Sequence, residues 1–342
     1  MTHTIRSRAP LRIAFGGGGT DVSPYADERG GLVLNATINR YAYVTLVPND
    51  SGVIRLRSLD YDEEIEFAAE DKPPEDCDGM KLALGVVRGM DVVGQKLGRG
   101  FDLFTHTDAP PGSGLGASST MVVALIGAFE AWHRTGLDRY EIARLAYQIE
   151  REDLGMHGGR QDQYAAAFGG FNFMEFRGDD VLVNPLRIPS DTIWELEYSL
   201  VLAWTGRSRL SSTIIEQQIE NFRNKDSKAV AAMDRTRDLA SEMKRVLLTR
   251  DLQLFGELLH EAWGVKKQMA GGISNPEIDA IYSAARDAGA LGGKVSGAGG
   301  GGFMFFFTAF DRRHEVEQAI EAHNAEVVHF SFTSGGLETW TR

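Results

Sequence analysis

The sequence predicts an α+β chain of two domains, divided at 188/189. Three observations carry this. The length of 342 residues exceeds one ordinary core. Strand-type runs crowd the first part of the chain, whereas a long helical stretch fills the middle of the second. The glycines, 39 of 342 residues against a usual share of ~7%, gather in clusters instead of spreading.

In chain order, residues 11–15 form a short apolar strand that ends at the first glycine cluster. Residues 32–48, rich in Val, Thr and Tyr, make one or two strands. Residues 53–58 and 64–68 alternate as a hairpin does, and 71–78, with two prolines and four acids, is a surface loop. Helical spacing covers 80–96, and a strand at 101–106 leads into the second glycine cluster. Residues 118–132 are apolar on most faces, which predicts a buried helix. A further helix spans 138–153 with Asp138 as N-cap. Strands at 171–176 and 181–183 flank the turn Gly178-Asp179-Asp180. The second unit begins near Pro189 with a strand at 197–204, then a helical region over 211–269 and a helix at 276–288. Strands at 292–296, 303–308 and 327–332 follow, with a helix at 312–324 between the last two.

Composition excludes several function classes. The chain is 43% apolar and 25% charged, as an ordered globular protein is. Its net charge of −12 makes nucleic acid and anionic membranes poor partners. Any phosphorylated ligand must be met by local donors, not by a global field. A single cysteine, Cys77, cannot form an intrachain disulfide, and the eight histidines lack zinc spacing. The polar stretch 1–10 does not resemble a signal peptide, and no run of ~20 apolar residues occurs. The expectation is a soluble, cytoplasmic protein; whether it forms a homo-oligomer is left open.

Function should lie in the three glycine loops. The central one contains Pro111, Gly112, Ser113, Gly114, Leu115, Gly116, Ala117, Ser118 and Ser119, between a strand and a buried helix. Free N–H groups at a helix start, with the positive end of its dipole, make an anion site. Glycines let phosphate oxygens approach the backbone, and a serine oxygen can also ligate Mg²⁺. The alternative is a tight loop with a serine cap. No Lys follows the glycines, so the Walker pattern is absent. The third loop has a nominal G-x-G-x-x-G at Gly297, Gly299 and Gly302, but a strand-like run from Phe303 follows where a dinucleotide fingerprint needs a helix. A hairpin or a substrate-contacting turn fits better. The first loop sets Arg12 before the strand's end and Asp21 just past it, as a flexible turn or a polar substrate clamp.

Taken together, the loops resemble the GHMP kinase superfamily of galactokinase, homoserine, mevalonate and phosphomevalonate kinases. The first motif, P-x-[RK]-[IV]-x-x-x-G, is matched from Pro10 to Gly17 with one position of slack at the glycine. The ATP loop, P-x-x-x-G-L-G-x-S-S, is matched from Pro110 to Ser119, and K-x-x-G-A-G-G-G from Lys294 to Gly301. The glycine run closed by Thr20 and Asp21, the segment 34–38 and the run 297–303 look most like sugar 1-kinases, in particular those acting on a heptose 7-phosphate.

The resemblance implies a GHMP N-terminal α+β domain over 1–188 and a ferredoxin-like C-terminal α+β domain over 189–342. It implies ATP and Mg²⁺ as cofactors and a small sugar phosphate as acceptor. Asp162 would accept or orient the acceptor's hydroxyl proton, with Arg12 stabilising charge on the transferred phosphoryl. Ser119 and Glu150 would hold the metal; Glu150 stands twelve residues before Asp162, as in galactokinase-like members. Without the resemblance, Glu150 is one more solvated acid and Asp162 a helix N-terminal one. Thr20, Asp21, Gly18, Gly19, Gly299 and Gly300 are the expected substrate contacts, with Asn35 weaker. Arg160, Arg207, Arg209, Lys266 and Lys267 are candidates for a distal phosphate, each equally explained as a surface charge. The competing functions are a fucokinase-like free-sugar kinase, a ligand sensor without catalysis, and a dinucleotide enzyme built on the third loop.

Overall fold

The computed structural model describes residues 3–74, 78–92, 100–110, 112–207 and 212–342. The chain opens with β1 (Ile5–Gly16), a short α1 (Tyr25–Arg29) and β2 (Gly31–Pro48). β2 is one strand of 18 residues, not two. The hairpin β3 (Val53–Ser58) and β4 (Glu63–Ala68) follows, then α2 (Lys81–Val92), β5 (Phe101–Thr107) and α3 (Ala117–His133). α4 (Arg139–Tyr147) starts at a capping box between Asp138 and Glu141, runs into a π-helical turn (Gln148–Asp153), and precedes α5 (Gln161–Phe168). β6 (Phe171–Arg177) and β7 (Asp180–Pro185) complete the first unit. The second contains α6 (Ser190–Ser199), β8 (Leu200–Trp204), α7 (Ser212–Arg223), α8 (Ser227–Leu248), α9 (Leu252–Lys266) and α10 (Pro276–Asp287). It ends with β9 (Ala290–Val295), β10 (Phe303–Thr308), α11 (Arg313–Glu321), β11 (Glu326–Val328) and β12 (Glu338–Thr341).

The strands form two sheets. The first has eight, in the order β12-β1-β2-β5-β3-β4, with β6 and β7 branching from β2. The length of β2 explains the branch: it pairs with β5 over Ala42–Pro48 and with β6 over Gly31–Ala36. The second sheet, β11-β8-β10-β9, is antiparallel throughout. Its chain order, strand, helices, two strands, helix, strand, is the ferredoxin-like arrangement. The last strand crosses the expected boundary: β12 pairs with β1 in the first sheet.

Apolar patterning accounts for the layers. α3 is buried from Thr120 to Phe129 and packs on the first sheet with α2 and α5. A second core lies between the units, where Leu11, Ile13 and Phe15 of β1 meet Leu239, Met243, Phe255 and Phe305. The Phe15 ring lies edge-on to Phe255 at 5.4 Å and to Phe305 at 5.9 Å. The two units therefore share a core, and the groove between them has firm walls.

Three expectations need revision. The start of the expected strand at 197–204 is helical, because Thr192, Leu196 and Ser199 recur at helical spacing and are buried together. The helical region over 211–269 is three helices, interrupted where Lys225 (φ 54) and Arg250 (φ 66) turn left-handed. Asp226 and Asp251 then cap the next helices through the N–H groups of Ala229 and Leu254. The strand expected at 327–332 stops at Val328, and Phe332 bridges to Ile38 instead. Parts of the segments expected at 71–78, 80–96 and 211–269 lie outside the described residues.

α10 carries a cap with a second task. The Asn275 side chain accepts from Glu277 N at 3.1 Å and Ile278 N at 3.0 Å, and its amide donates to Gly300 O at 3.2 Å. Asn275→Ala is expected to lower stability by about 1 kcal/mol in urea unfolding. An unchanged midpoint would mean that the cap does not hold in solution.

Candidate active site

The three glycine loops converge on one cavity of about 630 Å³ between the units. The loop joining β5 to α3 lends it Gly112, Ser113, Gly114, Gly116, Ala117, Ser118 and Ser119. Gly116 is the left-handed N-cap of α3 (φ 81) and offers no side-chain cap. The first-turn N–H groups are therefore left open at the cavity wall, where an anion can meet them. Backbone packs on backbone here: a Cβ on Gly114 would lie 2.4 Å from Ser296 O, and one on Gly302 2.4 Å from Ser113 O. Ser296 Oγ donates to Gly114 O at 2.9 Å, closing the second loop against the third.

Arg12 and Asp162, 150 residues apart, form a two-pronged pair: Nε and Nη2 donate to the two carboxylate oxygens at 2.7 and 2.8 Å. The third nitrogen, Nη1, donates to Gly114 O at 2.5 Å. Sheet irregularity aims this side chain, since the β1–β2 register shifts on both sides of Arg12, between Pro10/Arg12 and between Ala14/Gly16. Arg12 N donates to Leu115 O at 3.0 Å, tying β1 to the glycine loop. Asp162 is the second residue of α5, and a Cβ on Gly116 would lie 3.2 Å from its Cγ. The carboxylate thus abuts the loop that presents open N–H groups.

Asp21 lines the cavity and fastens its acceptor side. Its oxygens accept from Gly19 N at 3.0 Å, Gln161 N at 3.1 Å and Gln161 Nε2 at 3.2 Å. Gly159 must lack a side chain, since a Cβ would come within 1.9 Å of Asp21 Oδ2. Gly18 and Gly19 also face the cavity.

Ser119 and Glu150 meet as the sequence suggests: Ser119 Oγ donates to Glu150 Oε2 at 2.6 Å. Two residues not anticipated complete the cluster. Gln163 Nε2 donates to Glu150 Oε2 at 2.7 Å, and Arg151 lies 3.2 Å from Glu150 Oε1 while donating to Ser119 Oγ at 3.1 Å. Neighbours on an α-helix point about 100° apart. Glu150 and Arg151 both line the cavity because they sit in the π-helical turn, where Leu154 N reaches back five residues to Ile149 O.

Two lysines of the second unit complete the wall. Lys266, the last residue of α9, and Lys294, on β9, are each 3% exposed. Burial pushes the Lys266 ammonium down to about 8 against the pull of Asp21, with Arg12 adding to the drop. Burial lowers Lys294 further, helped by Lys266 and Arg12.

Several expected contacts are placed elsewhere. Thr20 is fully buried, and its hydroxyl donates to Gly17 O at 2.8 Å, so it shapes the loop and cannot reach a ligand. Leu115 is a core residue. Gly299 and Gly300 do not line the cavity: they pack on Ile273, and Gly300 N donates to its carbonyl at 2.9 Å. Asn35 is a buried amide away from the cavity. Arg160 pairs with Asp27 at 3.2 Å, Arg207 with Glu277 at 3.1 Å and Lys267 with Asp279 at 3.7 Å, all off the cavity wall. Pro111 and Arg209 lie outside the described residues. The third loop is a β9–β10 hairpin turn, which removes the dinucleotide reading.

Comparison with known proteins decides the family. The GHMP kinases N terminal domain matches residues 82–170 and the GHMP kinases C terminal domain residues 239–329. D-glycero-alpha-D-manno-heptose 7-phosphate kinase of Campylobacter jejuni is 41% identical over 338 residues, 98% of this chain and 99% of that one. The chain belongs to the GHMP kinase family. As a member it is a phosphotransferase that uses ATP. This GHMP kinase also superimposes on a crystal structure described as D-glycero-D-manno-heptose 1-phosphate kinase from Bacteriodes thetaiotaomicron, with a TM-score of 0.83 and 40% identity, covering 98% of each chain. Galactokinase of Lactococcus lactis, crystallised with galactose, shares the fold at TM-score 0.78 and 19% identity, covering 98% of this GHMP kinase and 95% of that chain.

Proposed function

We propose that this protein transfers the γ-phosphoryl group of ATP to the anomeric hydroxyl of D-glycero-D-manno-heptose 7-phosphate, giving the 1,7-bisphosphate. The near full-length similarity to the Campylobacter jejuni enzyme supports the substrate. The observation that carries the chemistry is the abutment of Asp162 on the glycine loop, with Arg12 joining the two. The acceptor oxygen attacks the γ-phosphorus, its bond to phosphorus forms, the β,γ-bridging bond breaks and ADP leaves. The hydroxyl proton passes to the Asp162 carboxylate, which Arg12 holds in place. The loop N–H groups and the α3 dipole hold the nucleotide phosphates.

Mg²⁺ fits the Ser119–Glu150 pair. Both offer hard oxygen atoms, and the serine hydroxyl and carboxylate face the cavity within 2.6 Å of each other. Among the described residues no group of three or more His, Cys, Asp and Glu could hold a metal, which suits an ion that takes few protein ligands and keeps phosphates and water. When bound, Mg²⁺ neutralises charge on the phosphate oxygens. No helix among the described residues is long and apolar enough to cross a membrane. In this reading the enzyme works in the cytoplasm on small molecules.

An acidic protein of net charge −12 repels a sugar phosphate, so local donors must win it. The test is ATP consumption with heptose 7-phosphate, free heptose, fucose and galactose, with ³¹P NMR locating the new phosphate on C1. The phosphorylated sugar is expected to lead in kcat/KM by at least ~10²-fold. Equal use of a free sugar would remove this substrate and leave the kinase assignment standing.

A further inference from the structure

The carboxylates of the cavity have partners. Asp162 is held by Arg12, Glu150 by Arg151, and Asp21 by N–H groups of Gly19 and Gln161. Its two lysines do not: among the described residues neither Lys266 nor Lys294 forms an ion pair. Lys294 donates to Ala14 O at 2.7 Å, but Lys266 has only a long bond of 3.4 Å to Gly18 O for its three donors. The neighbouring Lys267 faces outward and pairs with Asp279, so α9 places one lysine on the surface and turns the next one in. Burying an unpaired ammonium is costly unless something compensates it.

Beside it, Gln161 Oε1 is a buried acceptor without a partner, since the amide nitrogen is turned to Asp21. Gly18 leaves room before both groups: a Cβ there would lie 3.9 Å from Lys266 Nζ and 3.6 Å from Gln161 Nε2. This corner belongs to the first glycine loop, whereas open N–H groups for nucleotide phosphates lie on the second.

We propose that Lys266 selects an anionic acceptor, its ammonium receiving the acceptor's phosphate group beside Gly18 while Gln161 Oε1 accepts from a neighbouring hydroxyl. This rests on the sugar-phosphate reading above and assigns that reading its recognition element. A dianion meeting the ammonium supplies the counter-charge that the fold withholds, and Lys294 behind it adds to the field. Burial keeps the pair weakly screened, so the selection holds at high salt.

Lys266→Met tests this, because a similar-sized apolar side chain removes the charge without opening a cavity. Wild-type and variant are compared for ATP affinity by calorimetry, for heptose 7-phosphate binding without ATP, and for kcat and KM with heptose 7-phosphate and free heptose. The expected result is a KM for heptose 7-phosphate about 10²-fold higher, matched by weaker direct binding, with ATP affinity and the free-heptose rate within about threefold. Lys266→Arg should recover part of the loss, and a recovered preference also guards against a folding defect in Lys266→Met. The proposal is overturned if the variant keeps the wild-type preference for the phosphorylated sugar. It is equally overturned if kcat falls alike with both acceptors, which would put Lys266 on the transferred phosphoryl. The preference of the wild-type enzyme tests the substrate; its loss in the variant tests the lysine.

Discussion

Asp162→Asn is expected to bind ATP as the wild type does and to lose about 10²–10⁴-fold in kcat. The substitution preserves shape but removes the charge that takes the acceptor proton. It also turns an amide NH₂ toward one prong of Arg12, so one of the bonds at 2.7 and 2.8 Å becomes donor against donor. Arg12 keeps its bond to Gly114 O, so the glycine loop should stay in place. The measurement is single-turnover phosphoryl transfer at saturating acceptor, beside ATP titration by calorimetry. A kcat loss under tenfold would show that Asp162 neither accepts nor orients the proton. Weaker ATP binding of similar size would mean that the variant disturbs the loop, not the chemistry.

The second large effect is expected at Gly114. Gly114→Val must adopt φ +80 and place a β-carbon 2.4 Å from Ser296 O, a backbone atom that cannot swing aside. The left-handed conformation costs about 1–3 kcal/mol, and overpacking adds about 1–3 kcal/mol. The second loop must therefore leave the third, drawing the carbonyl away from Arg12 Nη1. We expect ATP affinity to fall by at least about 10²-fold in a chain that circular dichroism shows to be folded. Gly52→Val is the control: its φ is +69, but nothing lies within 4 Å of its Cβ, so it carries the strain without the collision. A folded Gly114→Val protein with unchanged ATP affinity would move the nucleotide site off this loop.

Much of the scaffold was legible. The glycine clusters sit at tight turns and close approaches, the apolar run at 118–132 is the buried α3, and the last three strands fall near their expected places. The partners across the cavity were legible only through resemblance, because nothing local links Arg12 to a carboxylate 150 residues away. Thr20 was misjudged since a hydroxyl in a glycine turn can serve a ligand or its own backbone, and here it bonds Gly17 O. Arg151 and Gln163 were missed because residue type alone does not say which way a helical side chain points. Lys266 was one of five basic candidates; its burial, which separates it from Lys267, comes from the packing of α9 on β9.

The slackened winding at Gln148–Asp153 puts two opposite charges of adjacent residues on one wall. That wall is set by the number of residues in the turn as much as by their identity. A chain could keep Ser119, Glu150 and Arg151 letter for letter and still lose it by dropping one neighbour, since a tightened coil would swing Glu150 and Arg151 apart. Substitution scans, which hold length constant, are blind to this kind of information. Gaps in an alignment at this turn accordingly carry more functional weight than mismatches do.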